Sequence, residues 1–157
     1  MTQKYTSADT SLNQVPAVYK HFHFPIGARV LDYGGGKYDT ATNYMRERGV
    51  TVGVYDKYNR TPAHNRAVLK EMTSPDYVVC SNVLNVIAED EIVDDILNDL
   101  ASYNSTVLIS VYEGNGSGVG KETTKGYQRN AKAKEYLPMI SKHFNKVTKR
   151  HGAFICN

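Results

Sequence analysis

Cysteine is scarce in this chain. Cys80 and Cys156 are the only two in 157 residues, too few for a disulfide framework or a four-cysteine zinc site. Both fall in apolar segments, where a thiol is more often an inert core residue than a nucleophile. No apolar run approaches the roughly 20 residues of a membrane-spanning helix. The opening stretch, Met1 to Leu12, is polar and carries no signal-peptide core. Apart from the pair His21 and His23, the five histidines show no metal-ligand spacing, and that pair has no cysteine or carboxylate close by, so no metal site is expected. No Ser-His-Asp set or nucleophile elbow is visible. A secreted mini-protein, a membrane protein and a disordered tail are thereby disfavoured. The expectation is a reduced, cytoplasmic single domain, long enough to bury a core of its own.

Residues 71–120 also lack lysine and arginine altogether, against nine Asp/Glu. Residues 1–70 hold 10 Lys/Arg and 5 Asp/Glu, and residues 121–157 hold 9 and 2, so the blocks run +5, −9 and +7 and sum to the net +3 of the chain. Blocks of this kind either face different partners or are solvated faces of opposite sign.

Along the chain, strand-like and helix-like patterns alternate. A polar arm and a short helix from Pro16 to Phe22 occupy residues 1–25, and a single domain is expected over 26–157. Strands are expected at Arg29–Tyr33, Thr51–Tyr55, Asp76–Cys80 and Val107–Tyr112. Helices are expected at Asp39–Arg48 (closed by Gly49), Arg66–Met72, Glu89–Tyr103 and Asn130–Phe144, the last with Pro138 as a kink. In Glu89–Tyr103 the residues Ile92, Val93, Ile96, Leu97 and Leu100 follow the 3.6-residue period, and Glu89, Asp90 and Glu91 occupy the first turn, where the helix dipole favours negative charge. Residues 113–128 contain five glycines and read as a flexible loop. Lys146–Arg150 and Ala153–Cys156 pair as a closing hairpin through His151-Gly152. The pattern predicts an α/β layered sheet, mostly parallel, with an antiparallel hairpin at the C-terminus and helices on both faces.

The sharpest motif is Val30-Leu31-Asp32-Tyr33-Gly34-Gly35-Gly36. A glycine turn after a first strand lets backbone approach a ligand, and the next helix offers free N–H groups. Asp56 ends the following strand, where a carboxylate can accept both hydroxyls of a ribose. The dinucleotide fingerprint G-x-G-x-x-G fails, because Asp39 stands where its third glycine belongs. Asp32 would oppose a pyrophosphate but suits a cationic or amine-bearing ligand. The alternative is an ordinary glycine turn capped by an aspartate.

These residues resemble the class I S-adenosylmethionine-dependent methyltransferases. Val30 to Gly36 looks like their first motif, Val54-Tyr55-Asp56 like their second, and Asp76 to Asn85 like their fourth. The resemblance spans roughly residues 26–157. It implies a Rossmann-like seven-stranded sheet of order 3-2-1-4-5-7-6, with S-adenosyl-L-methionine as cofactor. It places Asp32, Gly34 and Gly36 at the methionine end, Asp56 at the ribose, and Lys57 or Tyr58 beside the adenine; Gly35, Ser81, Asn82 and Val83 complete the expected cofactor-binding cleft. This sequence departs from the family in Lys37-Tyr38, which replaces the third glycine, and in having no evident third strand between Asp56 and Asp76. Ser81-Asn82-Val83-Leu84 also replaces the proline-rich motif of amino-methylating DNA enzymes. Asn82 and Tyr38 are the polar candidates for orienting a methyl acceptor, with Asn82 as the catalytic candidate. Both Asn82 and Asn85 have an alternative role in satisfying loop backbone.

Val83–Ile87 and Thr124–Arg129 further resemble segments of methyltransferases encoded beside DNA phosphorothioation genes, which implies a nucleic-acid substrate. Lys125, Tyr127, Arg129 and Lys132 are the candidate nucleic-acid contacts, combining positive charge with an aromatic; a solvated basic surface is the alternative. The expected function is S-adenosylmethionine-dependent methyl transfer, with nucleic acid as a candidate acceptor. A small-molecule acceptor, a module that binds the cofactor without turning it over, and a dinucleotide-binding protein are the competing readings.

Overall fold

The computed structural model describes residues 1–8 and 10–157. Its elements run α1 (Ala17–His21), β1 (Arg29–Tyr33), α2 (Thr40–Arg46), β2 (Thr51–Tyr55), α3 (Pro62–Glu71), β3 (Tyr77–Ser81), α4 (Asp90–Ser102), β4 (Thr106–Ser110), β5 (Lys121–Thr123), β6 (Gly126–Gln128), α5 (Leu137–Ser141), β7 (Val147–Arg150) and β8 (Ala153–Cys156). Six strands form one sheet in the order β2-β1-β3-β4-β8-β7. The first four are parallel to their neighbours, and β8 returns antiparallel to both β4 and β7.

Alternation along β1 sorts two cores. Val30 packs with Val18, Tyr19, Ala41 and Met45 of α1 and α2. Leu31 packs on the other face with Val68, Val93, Leu97 and Ile140 of α3, α4 and α5. Helices therefore cover both faces, as the mixed parallel pattern requires. Asp32 shares its face with Val30, so a carboxylate sits at the sheet end of the α1–α2 core.

The sheet has six strands rather than the seven implied by the family resemblance. No strand lies outside β2 among the described residues; the chain passes straight into α3, which starts earlier than its sequence pattern, at Pro62. The Thr61 hydroxyl accepts the His64 N–H at 3.1 Å, and Pro62 occupies the first turn, two features that nucleate a helix at this point. The first turn of α3 then serves the outer backbone of β2. His64 Nε2 donates to the Val54 carbonyl at 2.7 Å. The Asn65 amide accepts from Asp56 N at 3.0 Å and donates to Asp56 O at 2.9 Å. Gly53 lets α3 lie close against the strand: a Cβ there would sit 3.1 Å from Val68 Cγ1.

Two further segments differ from the sequence pattern. Residues 113–128 hold the hairpin β5–β6, and Asn130 ties the glycine-rich stretch before it by donating to Val119 O at 3.0 Å and accepting from Gly118 N at 2.8 Å. Asn130 has φ 57°, which is incompatible with a helix start at that residue. The expected helix from Asn130 to Phe144 is instead a 3-10 turn, Ala133–Tyr136, running into the short α5. Pro138 lies in the first turn of α5, where its missing N–H costs nothing.

Candidate functional site

A cavity of about 510 Å³ opens where β1, β2 and β3 end, the crevice in which open α/β sheets hold ligands. Asp32, Gly34, Gly35, Gly36, Asp56, Lys57, Ser81, Asn82 and Val83 all line it, as do Tyr38 and Tyr58.

The glycine turn is held tightly. Gly34 has φ 81° and donates to Tyr55 O at 2.7 Å; a Cβ on it would fall 2.5 Å from Val83 Cγ2. Gly35 lies on the Asp32 carboxyl. Gly36 has φ 83° and donates to Asp56 Oδ2 at 2.8 Å. The exit of the turn is fixed by Arg60, which the sequence reading missed. Its guanidinium donates to Gly36 O at 2.8 Å and Tyr38 O at 2.9 Å, and pairs with Asp39 at 2.8 Å. Nothing local in the sequence marks Arg60; only the fold brings it back across 24 residues to Gly36.

The two carboxylates differ in surroundings. Asp32 is 2% exposed, and burial pushes its pKa up to about 7. The Tyr19 hydroxyl opposes that rise, the Asp56 charge adds to it, and Arg60 opposes it. The buried Tyr19 hydroxyl has no hydrogen-bond partner of ordinary geometry, yet it lies near enough to act on Asp32 electrostatically. Asp56 is engaged with the backbone. Its Oδ1 accepts Tyr58 N and Asn59 N, both at 3.0 Å, and Asn59 Nδ2 at 3.1 Å. With the bond from Gly36 at Oδ2, it ties the glycine turn to the loop after β2.

Across the cleft, Asn82 follows β3 with φ 58°, a left-handed conformation that asparagine tolerates better than most residues. Its N–H donates to Ser110 O at 2.9 Å, and its exposed side chain reaches the cavity wall. Ser110 Oγ donates to Ser81 Oγ at 2.9 Å. Asn85 is buried and accepts from Tyr112 N at 3.3 Å and Arg129 N at 2.9 Å, a loop-satisfying role.

The cavity has further walls that the sequence pattern did not reveal. Tyr33, Tyr55, Ile92, Asp95, Ile96 and Asp99 close one end. Ile92 and Ile96 follow the core period of α4 yet face the cavity. The N-terminal arm lies over the mouth, contributing Met1, Gln3, Ser7, Ser11 and Leu12 among others. It is anchored at several points. Tyr5 stacks on Tyr127 with centroids 5.3 Å apart, and its hydroxyl donates to Glu122 at 3.2 Å. Lys4 N donates to Glu89 at 2.8 Å, and Tyr58 donates to Gln3 at 3.3 Å. The arm that the sequence marks only by its polarity thus finds partners for its polar groups on the site loops.

The candidate nucleic-acid residues lie outside this cavity. Lys125 and Lys132 are accessible. Tyr127 is stacked beneath Tyr5. Arg129 donates to Ile87 O at 2.6 Å and pairs with Asp90 at 2.7 Å, clamping the loop that enters α4.

No protein-family model matches the chain, and no curated protein matches it by sequence. Solved structures do resemble it. One is the putative methyltransferase of Haloferax volcanii in complex with the Trm112 methyltransferase activator: TM-score 0.57, 14% identity, covering 85% of this chain and 68% of that one. Another is phosphoethanolamine N-methyltransferase 2 of Haemonchus contortus in complex with S-adenosyl-L-methionine: TM-score 0.49, 19% identity, covering 85% of this chain and 39% of that one. The fold is thus the Rossmann-like methyltransferase fold, with a mostly parallel sheet and an antiparallel C-terminal pair.

Proposed function

We propose that the chain binds S-adenosylmethionine in the cavity at the ends of β1–β3 and catalyses methyl transfer from it. The observation that carries this reading is Asp32: a carboxylate buried against Gly35 and lining the cavity, with the Tyr19 hydroxyl as its neutral polar neighbour and no ion-pair partner among the described residues. Such a group calls for a cationic ligand, and the glycines beside it leave room for one at backbone distance. Bound there, the cofactor supplies an activated sulfonium methyl.

The chain's residues then have distinct tasks. Asp32, ionised, offers its charge to a cationic centre. Gly34, Gly35 and Gly36 admit the ligand against the turn. Asp56 Oδ2, with one of its lone pairs used by Gly36, accepts from a ribose hydroxyl, and Lys57 and Tyr58 flank the base. Asn82 orients the acceptor by its amide. The arm excludes water from the mouth, which strengthens the electrostatic interactions inside. Alignment of donor and acceptor supplies several kcal/mol towards the barrier without a dedicated base, if the acceptor is already nucleophilic.

For the acceptor, charge is the guide. The flank of the cavity is α4, which carries Asp90, Glu91, Asp94, Asp95 and Asp99 and no lysine or arginine. That favours a neutral or cationic small molecule over a polyanion. A nucleic-acid acceptor is the second reading, supported by the exposed Lys125 and Lys132 of the basic block. Incubation with methyl-labelled S-adenosylmethionine and separate DNA, RNA, protein and small-molecule fractions tests both. Label in the small-molecule fraction that disappears with Asp32→Asn is the expected result; no transfer to any fraction, with the cofactor bound, would leave a binding module.

A further inference from the structure

Strand β7 closes one side of the sheet, and β8 is its only strand neighbour among the described residues. The register fixes which backbone groups are left over. Lys146 and Asn157 exchange both backbone bonds, at 3.0 Å and 2.9 Å. Antiparallel partners alternate between bonded and non-bonded pairs, so Thr148 and Arg150 also bond to β8, opposite Ile155 and Ala153. The N–H and C=O groups of Val147 and Lys149 then point away from the sheet, and no described group bonds them. The opposite edge differs, because His64 and Asn65 serve the outer backbone at the end of β2.

One sign of charge surrounds this bare edge. Residues 136–157 contain no Asp or Glu, and Lys142, Lys146, Lys149 and Arg150 are exposed with no ion-pair partner among the described residues. His151, in the turn after β7, stacks on His21 of α1 with ring centroids 6.3 Å apart. That contact brings a second acid-free stretch, residues 10–31 with the exposed Lys20, beside the first.

We propose that β7 is a docking edge for an extended acidic segment of a partner protein, which adds a strand to the sheet. The edge offers donors and acceptors in alternation at strand spacing, and its complement is another polypeptide backbone. DNA phosphates are acceptors only and give nothing to the outward carbonyls of Val147 and Lys149. A second copy of β7 would set Lys146, Lys149 and Arg150 against like charges, which is unfavourable across a strand pair. Basic residues on an edge deter indiscriminate pairing. The same residues favour a strand that carries Asp or Glu opposite them, so one feature excludes self-association and selects the partner. The proposal is independent of the cofactor reading, since β4 and β8 separate β7 from the strands that end at the cavity.

The test uses the full chain and a fluorescent peptide in which Glu alternates with Val and Thr, read by anisotropy and by residue-resolved amide exchange. The controls are the same peptide N-methylated along its pairing edge and a version with Lys in place of Glu. The acidic peptide is expected to bind and to slow exchange at Val147 and Lys149, leaving Thr148 and Arg150, already bonded to β8, little changed. Lys149→Pro removes an outward N–H and no bond to β8, a change that edge strands tolerate. It should weaken binding about two- to tenfold beyond Lys149→Ala, the range of a single hydrogen bond. Lys149→Glu with Arg150→Glu, which keeps the backbone, should abolish binding of the Glu peptide and admit the Lys peptide. Circular dichroism checks that each variant is folded. No binding of the acidic peptide at millimolar concentration, equal binding of the N-methylated peptide, or protection that falls away from Val147 and Lys149 would overturn the proposal. So would displacement of the peptide by duplex DNA of equal charge, or a chain that already sediments as a dimer with those two amides protected, since DNA or a second copy would then hold the edge.

Discussion

The carboxyl group of Asp32 lies directly against Gly35: a Cβ at residue 35 would stand 2.6 Å from Asp32 Cγ. Any side chain at Gly35 would displace the buried acid, so the glycine and the carboxylate are one device. Its protonation follows from burial. With the folded pKa raised to about 7 from an unfolded value near 4, the folded state holds a proton that the unfolded state has lost between those limits. Stability therefore falls as pH rises from about 4 to 7, by an amount on the order of 4 kcal/mol. Asp32→Asn should flatten that part of the pH–stability profile, measured by denaturant unfolding at several pH values.

The same ionisation couples to the ligand. A cationic ligand favours charged Asp32, so S-adenosylmethionine should bind more tightly as pH rises from 6 to 8 and release a proton near neutrality. Calorimetry in two buffers of different ionisation enthalpy reads that proton directly. S-adenosylhomocysteine, which lacks the sulfonium charge, should show the smaller pH dependence, and Asp32→Asn should show none.

Asp56 carries both a structural and a proposed binding role. Its carboxylate accepts bonds from Gly36, Tyr58 and Asn59. Asp56→Ala leaves those half-buried donors unpaired and should cost on the order of 3 kcal/mol, lowering the melting temperature by roughly 6–12 °C in a chain of this size. A melting temperature unchanged by the substitution would contradict the tie between the two loops.

The arm is latched by the Tyr5–Tyr127 stack and the bond from Tyr5 to Glu122. An aromatic pair contributes about 0.5–1.5 kcal/mol beyond its buried area. Tyr5→Ala should therefore speed S-adenosylhomocysteine dissociation about two- to tenfold in stopped-flow measurements and raise amide exchange in residues 3–7. An unchanged dissociation rate would mean that the arm does not cover the bound ligand.

The basic third gives a prediction in salt. Each phosphate neutralised on duplex DNA contributes about −0.9 to the slope of log affinity against log salt. With Arg129 held by Ile87 and Asp90, and Tyr127 held by Tyr5, the slope should be no steeper than about −2, and Lys125→Ala with Lys132→Ala should abolish it. A slope steeper than about −2 that persists in that double variant would mean phosphate contacts elsewhere in the basic block and would favour a nucleic-acid acceptor.

Much of this was legible in the sequence, and the divisions are physical. Strands β1 to β4 and β8 have local apolar patterns, β7 is marked by the His151-Gly152 turn that pairs it with β8, and Gly34–Gly36 with Asp32 mark the turn that ends β1. Ile92 and Ile96 obey the core period because they are apolar and on the core side, yet the cavity reaches that side; periodicity does not distinguish a core wall from a cavity wall. Arg60 and Arg129 bond to backbone carbonyls distant in sequence, and no local pattern encodes such a bond. The hairpin β5–β6 lies in glycine-rich, exposed chain, where pairing depends on Asn130 and the docked arm rather than on apolar alternation. Polarity hid the packing of the arm itself, because its partners are loop groups of the site.

The most direct test of the account is a calorimetric titration of the chain with S-adenosylhomocysteine at pH 8, repeated with NAD. The account predicts a one-to-one complex with S-adenosylhomocysteine, accompanied by about 2.7 kcal/mol of added stability at one hundred times the dissociation constant, and no response to NAD. Absence of heat and of any melting shift with S-adenosylhomocysteine at millimolar concentration would contradict it, the more so if NAD bound instead.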